Sequence, residues 1–236
     1  MRPLLCIRHD ATDAMTVAVG AFRDQGVAVH VLDAWDPSAS WPDLDDVAGI
    51  VVFGGDQNAD QVERHPHLLD ERHLMRDAAH AGILALGVCL GGQILARALD
   101  APVRRIAARE FGFYELSLTE PGRQDPLLSA FRDGDRVFQW HEDSFELPEG
   151  AVLLATARET RNQAFRHGEA AWGIQFHPEM DADLLESWIS LDPEGIARTW
   201  GSIDAVRAGA REHLATQMER GRDFFGRFAR LTWSRA

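Results

Sequence analysis

The sequence predicts an α/β fold in which an open, mostly parallel sheet is flanked by helices. Two apolar runs, Val47–Phe53 and Ile83–Val88, lack polar alternation, which is typical of strands buried on both faces. After Asp100 the pattern changes to short strand-like runs separated by turn signals, which indicates an antiparallel section. From Asp192 onward apolar residues recur at near-helical spacing, and this predicts a C-terminal helical extension.

In the first half of the chain, predicted strands alternate with predicted helices. Asp13 is expected to cap the first helix, and Gly26 and Gly82 are expected to end helices. Strands separated by helices over this length favour right-handed βαβ units and therefore a parallel sheet. The predicted strands are Pro3–Ile7, Val27–Leu32, Val47–Phe53 and Ile83–Val88, and the predicted helices are Asp13–Gln25, His67–His80 and Gln93–Ala98.

The second half is expected to lay an antiparallel section on the edge of that sheet. A helix is predicted over Asp181–Ile189, so that residues 1–190 form the main domain and residues 191–236 form an extension packed on it. The predicted strands are Val103–Ile106, Phe113–Leu118, Arg136–Trp140, Ala151–Ala155, Gln163–Arg166 and Ala171–Phe176. The apolar stripe of the extension predicts core packing, and it consists of Ile203, Val206, Ala210, Leu214, Met218, Phe225 and Phe228.

Composition excludes several classes of function. The chain has 236 residues and a formal net charge of −13, so neither nucleic acid nor anionic membrane is an expected partner. Two cysteines make no disulfide framework, and no apolar run approaches the length of a membrane span, so a cytoplasmic protein is expected. His65, His67 and His73 match no strong metal-binding spacing, and no metal site is predicted. Asp10, Asp13 and Asp43–Asp46 are interpreted as solvated caps and turns.

Cys89 is the first candidate catalytic residue. It lies in Gly87-Val88-Cys89-Leu90-Gly91, between a predicted strand and a predicted helix, with the spacing of a nucleophile elbow. Such a turn is tight enough that side chains two positions either side would collide, which accounts for the glycines. A cysteine at a helix N-terminus is also placed to favour the thiolate. The alternative is a buried structural cysteine beside an ordinary glycine turn.

His177 and Glu179 complete a candidate triad. A predicted strand ends at Phe176, and Pro178 prevents its continuation beyond His177. Glu179 is close enough in sequence to orient the imidazole. Cys89 and His177 therefore both follow the carboxyl ends of predicted strands, which is where open α/β sheets place their sites.

Gly-Val-Cys-Leu-Gly-Gly-Gln at residues 87–93, together with Gly-Ile-Gln-Phe-His-Pro-Glu at residues 173–179, resembles the class I (triad) glutamine amidotransferase family. Gly54-Gly55 after a strand and the segment Trp140–Ser144 match that family in position, so the resemblance covers about residues 45–190. The detail around Phe138–Asp143 and Asn162–Phe165 is similar to the stand-alone, GMP-synthase-like and γ-glutamyl peptidase-like branch. The resemblance implies a flavodoxin-like sheet.

The resemblance also implies the roles of individual residues. Cys89 would attack a γ-glutamyl amide, His177 would transfer the proton, and Glu179 would fix the imidazole tautomer. Backbone N–H groups of Gly55 and Leu90 would form the oxyanion hole. Gln93, His141 and Ser144 would bind the substrate. Asp56 departs from the proline that many family members have there, and it is a candidate specificity residue or simply loop surface.

Three functions stay open at this point. The first is hydrolysis of a small γ-glutamyl substrate by this chain alone, and the second is a glutaminase subunit that delivers ammonia to a separate synthase. No phosphate-binding glycine loop follows residue 190, so a synthase would have to be another polypeptide. The third is a non-catalytic binding or regulatory protein of the same fold, and an esterase ranks below these. No cofactor is expected, and the sequence does not decide the oligomeric state.

Overall fold

The computed structural model describes residues 2–13 and 15–233, with the side chain of Ala108 left out. An eight-stranded sheet has the strand order β2-β1-β3-β4-β10-β9-β8-β6. The strands from β2 to β10 in this order are parallel, and the remaining three are antiparallel. Its strands are β1 (Leu4–Arg8), β2 (Val29–Asp33), β3 (Gly49–Val52), β4 (Leu84–Val88), β6 (Ser117–Leu118), β8 (Val152–Thr156), β9 (Ala164–His167) and β10 (Ala171–Ile174).

The parallel half of this sheet confirms the predicted flavodoxin-like fold, since its order 2-1-3-4 is completed by one further parallel strand. β5 (Val103–Glu115) and β7 (Arg136–Phe145) form a separate two-stranded ribbon. The helices are α1 (Thr16–Asp24), α2 (His67–Ala81), α3 (Leu90–Ala98), α4 (Glu120–Gln124), α5 (Ala182–Leu191), α6 (Pro193–Thr199) and α7 (Ile203–Trp233).

The sheet is covered on both faces because successive side chains of a strand point to opposite sides. In β1, Leu4 and Cys6 join a core cluster with phenylalanines of α1 and α7, whereas Leu5 and Ile7 join a second cluster beneath α2 and α3. This explains why the parallel strands are continuous apolar runs in the sequence. No helix within the described part of the chain is both long and apolar enough to cross a bilayer.

The long C-terminal helix confirms the interpretation of its apolar stripe as core. Phe225 and Phe228 of α7 are fully buried, and the ring of Phe225 lies 5.7 Å from that of Phe22. Val206 and Leu214 join a third cluster under the β5–β7 ribbon. The helix therefore spans both the main core and the ribbon.

Two predictions about elements are wrong. The runs Val103–Ile106 and Phe113–Leu118 are expected to be separate strands on the sheet edge, but most of this segment is the single strand β5. β5 pairs with β7 across a register shift between Arg105 and Glu110, and a bulge of this kind keeps one strand continuous through an irregular stretch. Only Ser117–Leu118 reaches the main sheet, as β6.

Asp13 is the second error, because it is neither a helix cap nor solvated. The helix starts after Met15 with no side-chain cap, and the Asp13 carboxylate accepts a hydrogen bond from the Met15 backbone N–H at 3.0 Å. Asp13 is only 2% exposed. Its carboxyl group is turned toward the interior, near the carboxyl ends of the parallel strands.

Candidate active site

Cys89 lies at the tight turn that the glycine spacing predicts. It joins β4 directly to α3, and its backbone has φ 51° and ψ −107°, a left-handed conformation that is costly for a residue with a side chain. A Cβ atom on Gly87 would collide with the carbonyl of Gly91, and one on Gly91 would collide with the carbonyl of Val52. The glycines therefore permit the turn, and Cys89 is held at the N-terminus of α3.

His177 and Glu179 form a buried pair beyond β10. Nδ1 of His177 lies 2.7 Å from Oε1 of Glu179, and both side chains are at most 3% exposed. Burial alone would lower the pKa of His177, but the electrostatic interactions and hydrogen bonds with Cys89 and Glu179 outweigh burial and raise that pKa well above 6.5. The other ring nitrogen, Nε2, is buried and makes no hydrogen bond with a described residue. The imidazole is thus oriented by Glu179 and electrostatically coupled to Cys89.

The loop Gly54-Gly55 lies beside both Cys89 and His177. A Cβ on Gly54 would be 3.1 Å from Cε1 of His177 and 3.7 Å from Cβ of Cys89. A Cβ on Gly55 would be 2.9 Å from Cδ2 of Leu90, so the two predicted oxyanion donors belong to neighbouring residues. Asp56 is exposed.

The predicted substrate-binding residues are engaged with protein groups. Gln93 donates to the Asp143 carbonyl at 2.9 Å and to Oε1 of Gln175 at 3.4 Å. His141 is buried between the Asp143 carbonyl, at 2.9 Å from Nδ1, and Glu110, at 2.7 Å from Nε2. Ser144 pairs with Arg104 in the ribbon and is 8% exposed. The described contacts of Gln93 and His141 are thus those of residues that shape the wall of the site.

Several residues of the site escape prediction from sequence. Gln175 donates to Sγ of Cys89 at 3.7 Å, and Gln217 of α7 donates to the His177 carbonyl at 2.9 Å. Burial and the nearby charge of Glu179 raise the pKa of Asp13 to about 7. Gln217 and Asp13 belong to no motif that points to the site. Gln175 lies within the segment Gly173–Glu179, so that segment is the one signal by which it could have been found.

His9, His67 and Glu71 have the donor types of a metal site, and their ligand atoms lie within 4.8 Å of one another. Nε2 of His9 is 2.9 Å and 3.1 Å from the two oxygens of Glu71. Ligands that share a tetrahedral Zn²⁺ are about 3.3 Å apart, given metal–ligand distances of about 2.0–2.1 Å. The observed distances are those of a hydrogen-bonded ion pair between His9 and Glu71, and we assign these two residues as such a pair.

Comparison with known proteins shows what this arrangement is similar to. The model of the family Glutamine amidotransferase class-I matches residues 10–187. The glutamine amidotransferase-like protein YfeJ of Salmonella typhimurium is 28% identical over 196 residues, which are 82% of each protein. A glutamine-hydrolysing GMP synthase subunit of Haloarcula marismortui is 30% identical over 187 residues, 75% of this chain and 89% of the relative. The match to GMP synthase of Porphyromonas gingivalis, 35% identical, spans only 26% of that enzyme.

Solved structures superpose on 81–97% of the chain. A glutamine amidotransferase from Thermotoga maritima superposes with a TM-score of 0.85 at 28% identity, covering 97% of this chain and 98% of the other. A GMP synthase subunit protein from Thermoplasma acidophilum reaches a TM-score of 0.61 at 22% identity, and it covers 81% of this chain and 94% of the other. The second likeness concerns the fold alone. The first also extends over the C-terminal helices.

Proposed function

Because this chain belongs to the class-I glutamine amidotransferase family, we propose that it hydrolyses a γ-glutamyl amide through a thioester on Cys89. The observation that carries this proposal is the convergence of three groups: Cys89 at the strained turn, the oriented His177–Glu179 pair, and the Gly54-Gly55 loop against both. This set matches what acyl transfer requires, namely a nucleophile, an oriented base and backbone donors.

The proposed reaction uses these positions in order. Sγ of Cys89 adds to the γ-carbonyl carbon while its proton resides on Nε2 of His177, and the oxyanion is stabilised by the N–H groups of Gly55 and Leu90. His177 then gives the proton to the leaving nitrogen, the C–N bond breaks, and ammonia or an amine departs. Water, deprotonated by His177, adds to the thioester and the C–S bond breaks. The γ-carboxylic acid of glutamate or of a glutamyl compound departs, and the Cys89 sulfur and the protonated His177 return to their starting state. Glu179 keeps the imidazole in the required tautomer and stabilises its cation.

We favour hydrolysis by this chain alone. The buried His177–Glu179 pair is assembled within the single chain, and Gln217 of α7 supports it from within the C-terminal extension. That extension is also within the nearly complete superposition on the Thermotoga maritima amidotransferase. The alternative is a glutaminase subunit that delivers ammonia to a synthase, and the relatives described as glutamine-hydrolysing GMP synthase subunits support it.

A substrate panel separates these possibilities. The purified chain is incubated with glutamine, glutathione, γ-glutamyl amines and γ-glutamyl peptides, with Cys89→Ala as the blank and Cys6→Ala as the matched control. Cys6 is buried in the core and its pKa is strongly raised by burial, so its loss should leave turnover intact. Turnover that Cys89→Ala abolishes supports the hydrolase. If no substrate is turned over but a glutamine-like electrophile still labels Cys89, the result supports the glutaminase-subunit alternative. If neither turnover nor labelling is observed, the result supports a non-catalytic protein.

A further inference from the structure

A buried ion pair lies next to the proposed oxyanion loop. His9 follows β1, Glu71 lies in α2, and the side chains of both are fully buried. Their contact, 2.9 Å between Nε2 and Oε2, is inaccessible to water, and burying two charges is costly unless they are well paired. The reaction described above makes no use of either residue. A role for the pair must come from what His9 contacts on its other side.

That other contact is the backbone of the loop. Nδ1 of His9 lies 2.8 Å from the carbonyl oxygen of Gly54. Both ring nitrogens therefore face acceptors, and a neutral imidazole can donate from only one of them. The imidazolium satisfies both contacts. Burial opposes the charge, but Glu71 outweighs burial and raises the pKa of His9 above 6.5. The other facing groups are His67, with its ring 5.9 Å away, and Asp13, whose charge also favours the cation.

The contact fixes a peptide plane. The Gly54 carbonyl and the Gly55 N–H belong to one planar peptide unit, and in the trans form they point in opposite directions. No cis peptide occurs among the described residues. A hydrogen bond that holds the carbonyl toward His9 therefore holds the Gly55 N–H away from His9. The Gly54 carbonyl accepts its hydrogen bond from the His9 imidazolium. This cation polarises the peptide unit, so the N–H of Gly55 becomes a better donor to an anion.

We propose that His9, held by Glu71, is a positioning residue that orients and polarises the Gly54–Gly55 peptide for the oxyanion of the γ-glutamyl reaction. This inference rests on the proposed function, because it assigns the Gly55 N–H to that oxyanion. Loss of one oxyanion-hole donor costs about 10²–10³ in kcat in enzymes of this kind. Since the oxyanion exists only in the transition state and intermediate, the effect falls on kcat and leaves KM nearly unchanged.

Four variants separate the effect of the His9 hydrogen bond from the effect of the His9 charge. His9→Phe removes the hydrogen bond and the charge, and we expect kcat to fall about 10²-fold. His9→Asn places an amide N–H close to the position of Nδ1, and it should recover at least tenfold of that loss. Glu71→Gln leaves a neutral His9 that still donates from Nδ1, so kcat should fall by less than in His9→Phe. His67→Phe, which changes a neighbouring ring with no hydrogen bond to the loop, is the matched control.

A second rate distinguishes positioning from general damage to the site. Alkylation of Cys89 by iodoacetamide is a displacement at an sp³ carbon and requires no oxyanion hole. We expect its rate to stay within about twofold of wild type in His9→Phe and His9→Asn, whereas turnover falls. Equal losses of alkylation and turnover would overturn the proposal, and so would a His9→Phe variant with wild-type kcat.

The charge state of His9 is testable without turnover. In nitrogen-15 NMR spectra at pH 7.5, both ring nitrogens of His9 should have imidazolium shifts in wild type and lose them in Glu71→Gln. A neutral His9 in wild type would overturn the inference even if the chain is an active hydrolase. Conversely, a wild-type chain that turns over no γ-glutamyl compound would count against the proposed function. In that case an imidazolium at His9, together with a changed NMR shift of the Gly55 amide in His9→Phe, would still support the orienting contact.

Discussion

Gln217 and His177 are joined by a hydrogen bond of 2.9 Å from the glutamine side chain to the histidine backbone carbonyl, across 40 residues of sequence. The same glutamine accepts from the Phe138 backbone N–H at 2.5 Å and is 1% exposed. α7 also approaches this segment closely, since a Cβ on Gly221 would collide with the carbonyl of Pro178. The C-terminal helix is therefore a structural support for the base of the proposed triad.

Gln217→Ala should destabilise the protein and slow catalysis. It leaves the buried Phe138 N–H without its Gln217 partner and leaves the His177 carbonyl with the Met180 N–H alone, at a cost of about 1–3 kcal/mol in the free energy of unfolding. It also frees the segment that carries His177, so kcat should fall more than KM changes. Urea unfolding and steady-state kinetics measure the two effects. Glu219→Ala, an exposed change on the same helix, should alter neither, and equal effects of the two variants would contradict this role.

Glu179→Gln should shift the pH dependence of the reaction. The charge of Glu179 contributes to the raised pKa of His177, so its removal lowers that pKa. The alkaline limb of kcat/KM, where the imidazolium is lost, should then move to lower pH. We expect kcat to fall by about 10²-fold or more, because the tautomer is no longer fixed. A pH–rate profile with an unchanged alkaline limb would show that Glu179 does not act on His177.

Asp13→Asn should make the folded state more stable at alkaline pH. The pKa of Asp13 is raised to about 7 in the folded state, above the unfolded value of 3.8. Its contribution to stability is thus fully present below pH 3.8 and is lost as the pH rises through 7. The variant, which cannot ionise, avoids this loss and should be about 1–3 kcal/mol more stable at pH 8. At pH 4 the two proteins should unfold at nearly the same urea concentration, and a constant difference across this range would contradict the interpretation.

Gly91→Ala should disrupt the turn that carries Cys89. The added methyl group meets the Val52 backbone, which belongs to a central strand and cannot move away, so we expect a loss of about 2 kcal/mol or more in the free energy of unfolding. Gly20→Ala is the matched control, because its Cβ has open space in α1. That change should stabilise the protein by about 0.5–1 kcal/mol. Thermal unfolding of both variants decides the matter.

The sequence predicts those features of the molecule that are determined by residues close together in the chain. Cys89 and its glycines form one continuous segment, and His177 and Glu179 are two residues apart, so motif spacing alone brings each group together. The parallel strands are also local, because burial on both faces leaves an uninterrupted apolar run. Because βαβ connections are right-handed, only a few strand orders were possible for the parallel sheet. The observed order is the flavodoxin-like one.

Residues defined by distant partners could not be predicted. His9 and Glu71 are 62 positions apart, and nothing near either one indicates a buried ion pair. Asp13 lies before a helix, where aspartate is usually a solvated cap, but the packing of the strand ends buries it instead. The strand β5 is divided in two by the sequence pattern because a bulge between Arg105 and Glu110 interrupts the alternation that a strand shows in sequence.

The order of strands in the sheet has a mechanical consequence for the site. His9, the Gly54-Gly55 loop, Cys89 and His177 follow β1, β3, β4 and β10, which are consecutive neighbours in the sheet. Adjacent strands are spaced by about 4.8 Å, so four strand ends form a row about 14 Å long. Backbone hydrogen bonds between these strands fix the distance from each strand end to the next. The spacing of the four groups is therefore set by the strand pairing, and a change of length in the loops that surround the row leaves this spacing unchanged.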